Sequence, residues 1–245
     1  MLRMLMCSCA ILIMLSGTTF AEEAFGRDVI KTSQGDLTIT FIGHATLMFS
    51  FGDLTIHVDP WSRLADYAKL EKADIVLITH EHFDHLDREA LKKVSTKETT
   101  VIMTEGCRKQ GAAGIVMKNG DTKKISGITI EAVPAYNIVN KRPDGQPFHP
   151  KGTGNGYVIT FGDKRIYVAG DTENTPEMKK IPAVDVAFLP MNLPYTMTPE
   201  MVADAARAMR MKILYPYHFG ESDTAKLVEL LKDIPAIEVR LRKMN

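Results

Sequence analysis

The sequence predicts an α/β domain on three observations: 245 residues with average shares of apolar and charged side chains, an opening of short antiparallel strands, and a later alternation of strand-like runs with helical segments. The first stretch stands apart. Arg3, the apolar run from Met4 to Leu15 and the small residues Thr19 and Ala21 read as a secretory signal peptide over residues 1–21, ahead of a single domain over 22–245. The run is short for a membrane span, so no stable membrane insertion is expected after cleavage, with an uncleaved anchor as the alternative. The protein is expected to be exported, periplasmic or secreted. Cleavage would remove one of the 30 basic residues, Arg3, and none of the 30 acidic ones. Such near neutrality gives no support to a nucleic-acid groove or an anionic membrane surface as partner; a small-molecule substrate is the expected partner, and oligomeric state has no signal. Of the three cysteines only Cys107 lies beyond residue 21, which leaves no intrachain disulfide. Cys107 follows Gly106 at a helix start, where a thiolate would be favoured, but a buried inert thiol is the stronger reading.

Strands are expected over residues 37–41, 46–51 and 54–58, with Gly52-Asp53 as a turn. A helix over 64–72, a buried strand over 75–78, a helix over 87–94 and a strand over 101–103 follow. After Gly120-Asp121 come strands over 128–133, 157–161 and 166–169, the last two joined at Gly162-Asp163. Helices are expected over Pro199–Met209 and Thr224–Leu231, capped by Thr198 and by Ser222 or Asp223. Such alternation builds a sheet with helices on its outer face. Residues 137–155, rich in proline and glycine, should form a long loop of the kind that serves as a lid or binding loop. Met201, Met209 and Met211 read as core filling.

His80-Glu81-His82-Phe83-Asp84-His85 brings three imidazoles and the Asp84 carboxylate close together, just after Ile75-Val76-Leu77-Ile78. In extended backbone alternate residues share a face, so His80 and His82 can point one way together, and as the chain curls Asp84 and His85 can be aimed at a second point. These donors suit one or two divalent ions, zinc first, with manganese or iron as alternatives. By the same period-two argument His57 and Asp59 should share a strand face.

His80-x-His82-x-Asp84-His85 resembles the signature of the metallo-β-lactamase superfamily. Gly43-His44-Ala45-Thr46 with Val58-Asp59-Pro60-Trp61 is similar to the opening of its branch of sugar-phosphate lactonases and N-acyl-phosphatidylethanolamine phospholipase D. Ala169-Gly170-Asp171-Thr172 resembles the bridging-aspartate motif, and Tyr217-His218-Phe219-Gly220 the last histidine motif. The resemblance covers almost all of the chain beyond residue 21. It implies a four-layer αββα sandwich with mixed sheets, helices on the outer faces, and two divalent metal ions. By resemblance His80 and His82 hold the first metal, Asp84, His85 and His218 the second, and Asp171 bridges both, so that Asp84, Asp171 and His218 serve catalysis. For Asp171 the alternative is an N-cap role near Pro176. The departure is at the third ligand of the first metal, where many relatives place a histidine after the strand over 128–133; this chain reads Val133-Pro134-Ala135-Tyr136-Asn137. His149, folding back on the long loop, is the expected replacement; the alternatives are completion by Tyr136 or water, or a mononuclear site. Asp59 is expected to orient ligand imidazoles from behind, His44 to contact substrate or a ligand, and His57 to be a satisfied interior histidine. Tyr136, Asn192 and Tyr195 are candidate substrate contacts.

The expected function is a secreted metal-dependent hydrolase in which a metal-bound hydroxide attacks a lactone, phosphodiester or related ester or amide, with β-lactams disfavoured by the Asp171 bridge. The alternative is a metal-binding or sensing protein of the same fold without efficient catalysis. Redox chemistry at a di-iron site would call for a flavin domain or a persulfide partner, and the sequence shows no such domain.

Overall fold

Two seven-stranded sheets face each other across the main core of the computed structural model, which describes residues 25–244. The expected signal peptide over 1–21 lies outside the described residues. The first sheet runs in chain order: β1 (Gly26–Thr32), β2 (Gly35–Gly43), β3 (Thr46–Phe51), β4 (Leu54–Val58), β5 (Ile75–Leu77), β6 (Thr100–Met103) and β7 (Ile115–Val116). The second holds β8 (Thr122–Ile125), β9 (Ile128–Ala135), β10 (Gly154–Phe161), β11 (Lys164–Val168), β12 (Val186–Pro190), β13 (Ile213–Tyr217) and β14 (Glu238–Val239). Each sheet begins with antiparallel pairings and finishes with parallel ones. Alternation explains the layers. Leu37, Ile39, Phe41, Phe49 and Ile56 point between the sheets, where Phe49 meets Phe161 tilted and Phe188 edge-on, each at about 6 Å.

Helices α1 (Arg88–Val94) and α2 (Glu105–Lys109) cover the outer face of the first sheet over a separate cluster that includes Val76, Ile78, Ala90, Val94 and Cys107. Helices α3 (Pro199–Met209) and α4 (Thr224–Leu231) belong to the other side, where Val202, Ala203, Ala206, Met209 and Leu227 join the main core. The result is the αββα order. Cap chemistry sets the helix starts: Asp87, Thr198 and Asp223 each accept hydrogen bonds from first-turn N–H groups. Met209 and Met211 are buried and Met201 packs beside them, as core filling requires. Cys107 is fully buried, and burial pushes its thiol pKa up.

Two expectations fail here. Residues 64–72 form turns rather than a helix. Asp66 Oδ1 accepts from Ala68 N at 3.2 Å, and Tyr67 sinks into the outer cluster with its hydroxyl accepting from Trp61 N at 2.9 Å, so side-chain bonding competes with helical pairing. His57 and Asp59 do not share a strand. Asp59 lies past the end of β4 with φ 45°, which breaks the alternation. His57 does occupy the interior: its Nε2 lies 3.0 Å from the Glu71 carbonyl, and burial lowers its pKa to about 4, although Nδ1 has no partner.

Candidate metal centre

The ends of β4, β5, β11, β12 and β13, the β2–β3 turn and the β9–β10 loop converge at one edge of the sandwich, and they bring the histidines and aspartates singled out from the sequence together. His80, His82 and His149 each offer a nitrogen, all within 4.8 Å of one another; His44, Asp84, His85 and His218 form a second such group, and His80, His85 and Asp171 a third that links the two. Asp171 faces both sides. Its Oδ2 lies 3.3 Å from His149 Nε2, while its Oδ1 lies 3.4 Å from His85 Nε2 and 3.5 Å from His218 Nε2. It caps no helix. Gly170 makes this placement possible: at φ 65° a Cβ there would stand 2.9 Å from the Asn155 carbonyl and 3.0 Å from Thr79 Cβ, and the Gly170 N–H donates to the Tyr217 hydroxyl at 2.8 Å.

The outward nitrogens of His80, His85 and His149 are fixed by the protein, while several inward atoms are left over. His85 Nδ1 lies 2.8 Å from Asp59 Oδ2, and Asp59 also accepts from Thr79 N and Thr79 Oγ1 at 2.8 and 2.6 Å. His149 Nδ1 lies 2.7 Å from Asn137 Oδ1, and His80 Nδ1 lies 3.1 Å from Thr79 Oγ1. Meanwhile His80 Nε2, His85 Nε2, His218 Nε2 and Asp171 Oδ1 are buried without a hydrogen-bond partner. Buried polar atoms in folded proteins are seldom left unpaired. Four such atoms within the linked ligand groups, all imidazole nitrogen or carboxylate oxygen, fit divalent metal ions.

Electrostatics agree. Burial and neighbouring imidazoles hold His80 and His82 below the usual histidine range, which keeps them neutral as ligation requires. Burial would lower the His85 pKa too, but Asp171 and Asp59 outweigh it and raise it to about 9: the carboxylates favour positive charge there. Asp171 and Asp84 are held far below the carboxylate range by the surrounding histidines despite burial.

His44 is closer to the centre than a supporting role implies, since its Nε2 lies 3.0 Å from Asp84 Oδ2 and it belongs to the second ligand group. His44, Asp59 and His218 are three of the five non-glycine residues with positive φ among those described. Such conformations cost about 1–3 kcal/mol each and cluster at working sites. The His218 N–H donates to the His44 carbonyl at 2.8 Å and ties two of them together.

A cavity of about 440 Å³ opens over these residues, lined also by Trp61, Phe83, Arg142, Phe148, Asn192 and Tyr195. Asn192 and Tyr195, the candidate substrate contacts, are thus brought to the cavity beside the metal-ligating residues. Tyr136 does not line the cavity: its hydroxyl donates to Glu177 Oε2 at 2.7 Å, and Lys151 covers its ring, so the residue after β9 turns away from the centre. Sequence reasoning passed over Glu173, Asn137 and Thr79. Glu173 is fully buried, and its carboxylate accepts from the N–H groups of Ile138, Val139 and Asn140 and from Asn137 Nδ2, at 2.7–3.1 Å. That carboxylate folds the long loop so that Asn137 can hold His149. Its one sequence signal is proximity to Asp171.

A model of the Beta-lactamase superfamily domain matches residues 38–218. The chain belongs to the metallo-β-lactamase superfamily. Within that superfamily it is similar to the UPF0173 metal-dependent hydrolase of Koribacter versatilis, 33% identical over 223 residues that cover 84% of this chain and 95% of the relative. A solved structure described as a metal-dependent hydrolase of Parabacteroides distasonis is 49% identical, with a TM-score of 0.86 over 90% of this chain and all of that one. The metallo hydrolase Igni18 of Ignicoccus hospitalis shares 25% identity, with a TM-score of 0.69 over 84% of this chain and 94% of its own.

Proposed function

We propose that this metal-dependent hydrolase of the superfamily is dinuclear and exported, and that it cleaves a lactone, phosphodiester or related ester. The observation that carries the reading is Asp171, which directs one carboxylate oxygen at the His149 side and the other at His85 and His218. A shared carboxylate offsets the repulsion between two nearby cations and fixes their separation. In this reading His80, His82 and His149 would hold one ion, Asp84, His85 and His218 the other, and Asp171 would serve both. The ion pair, with zinc as the first candidate, would supply polarisation of the scissile carbonyl or phosphoryl group and an activated water at neutral pH.

The chain's own residues do the rest. Asp59, Asn137 and Thr79 orient the imidazoles, His44 holds Asp84 in place, and Asn192 borders the cavity with its amide 3.4 Å from His218 Nδ1. Water adds across the scissile bond, giving an acid group and an alcohol group, on two products from an ester or diester and on one from a lactone. The alternative, a metal-binding protein without catalysis, drew its support from the missing histidine after residues 128–133. His149, with its Nε2 3.2 Å from His82 Nδ1, supports the catalytic reading instead.

The test is a panel of lactones, phosphodiesters and aryl esters, with a chromogenic cephalosporin as the contrast, before and after chelation. Chelator-sensitive turnover of an ester or diester that Asp171→Ala abolishes is the expected result. Turnover confined to the cephalosporin, or none in a fully metallated protein, would overturn it. Localisation is tested by fractionating cells, with recovery outside the cytoplasm expected.

A further inference from the structure

Two aromatic pairs line the cavity above the metal centre. Trp61 and Phe83 meet edge-on with centroids 6.0 Å apart, and Phe148 and Tyr195 do so at 5.0 Å. Phe83 is 70% exposed and Tyr195 45%. A phenylalanine left mostly in water forgoes most of the burial that would make it stabilise the fold, so packing alone does not account for Phe83 at this place. Such side chains at a cavity mouth are suited to cover an apolar ligand body.

Among the described residues Arg142 is the one lysine or arginine side chain that lines the cavity. Its place is built. The backbone is tied twice across a tight turn, by Arg142 N donating to the Gln146 carbonyl at 2.7 Å and Gly145 N to the Arg142 carbonyl at 2.9 Å. The guanidinium lies over the Phe148 ring, 5.6 Å from its centroid, and Nη2 donates to the Phe148 carbonyl at 3.2 Å. Among the described residues it makes no ion pair, which leaves most of its planar fork of donors free to take a carboxylate or phosphate.

Resting on the hydrolase reading above, we infer that the substrate is an amphipathic anion: an aryl or alkyl body held between the two aromatic pairs, with a carboxylate or phosphate separate from the scissile bond and bound by Arg142. Arg142 is then the residue that sets specificity. An exposed loop arginine that only keeps the surface soluble would be tied to neither the cavity nor an aromatic wall.

Trp61 is the only tryptophan in the chain and lines the cavity, so its fluorescence reports occupancy without turnover. The metallated full chain is titrated with 3-phenylpropionate, 2-phenylethylphosphonate and the uncharged 3-phenylpropionamide. The expected result is that both anions bind at least tenfold more tightly than the amide, that Arg142→Ala collapses the difference, and that Arg142→Lys restores part of it. The ranking of the two anions tells whether the natural group is a carboxylate or a phosphate. Because the metals remain in Arg142→Ala, anion binding that survives the substitution belongs to them and overturns the proposal, as does equal binding of all three probes by the unaltered protein. Turnover gives a second arm. The kcat/KM ratio for an aryl ester ending in a carboxylate over the same ester ending in an amide should fall at least tenfold in Arg142→Ala, and an unchanged ratio contradicts the assignment. If neither ester is hydrolysed, the hydrolase reading fails for esters while the fluorescence arm still decides Arg142.

Discussion

Replacing Glu173 by glutamine changes one atom and should cost the protein its first metal more than its fold. Glu173 Oε1 accepts from Asn140 N at 2.7 Å and Asn137 Nδ2 at 3.1 Å, and Oε2 from Ile138 N and Val139 N at 2.8 and 2.7 Å. Either orientation of a glutamine amide therefore sets an NH₂ against two donors. Hydrogen bonds to a charged acceptor contribute about 1.5–3 kcal/mol each, so two lost bonds come to about 3–6 kcal/mol within the loop. Ile138 and Val139 are exposed, so their N–H groups can turn to water, and the loss falls on the segment rather than on the whole domain. Global stability should drop by only about 1–2 kcal/mol. With the segment goes Asn137, whose Oδ1 accepts from His149 N at 2.8 Å and lies 2.7 Å from His149 Nδ1. Loss of such support weakens metal binding by about 10–100-fold. Chelator competition on the two sites, with limited proteolysis over residues 137–149, measures both effects. One site weakened and the loop newly cleaved is the expected outcome. Unchanged affinity at both sites with the loop still protected would refute the claim that Glu173 places His149.

Three further outcomes follow from the same geometry. Asp59→Asn should weaken metal binding by about 10–100-fold, because an amide turns a donor toward Thr79 or His85; calorimetric metal titration reads this, and unaltered affinity would remove Asp59 from the site's support. Cys107, buried with its thiol pKa raised, should resist a thiol reagent at pH 8 in the native protein and react at once when unfolded in guanidinium; rapid native labelling would contradict the burial. Burial raises the Asp28 carboxyl's pKa, but hydrogen bonds from Arg242 and Tyr215 outweigh it and leave it below the usual value of 3.8. Its contribution is thus present above the unfolded pKa and lost as pH falls through the lower folded value. Asp28→Asn should cost about 1–3 kcal/mol at neutral pH and less near pH 3, as denaturant melts at the two pH values would show; an equal loss at both would contradict the linkage.

Helices α3 and α4 were legible to the residue because Thr198 and Asp223 are cap residues directly before amphipathic runs, a local signal. The His80 to His85 cluster was legible for the same reason: its ligands are neighbours in sequence. The failures arose where long-range or side-chain bonding decides. Residues 64–72 have helix-forming composition, yet Tyr67 is anchored in the outer cluster and Asp66 bonds its own turn. Asp59 was read for its role but not its conformation, because a positive φ past a strand end has no sequence marker. The position of His149 depends on Glu173, whose bonds to the loop span 33 to 36 residues and leave no periodic trace.

The central claim is a two-metal centre that the loop histidine completes, and elemental analysis of the gel-filtered protein beside His149→Ala tests it most directly. The account predicts close to two divalent ions per chain, falling toward one in the variant. One ion or none in both proteins would contradict it.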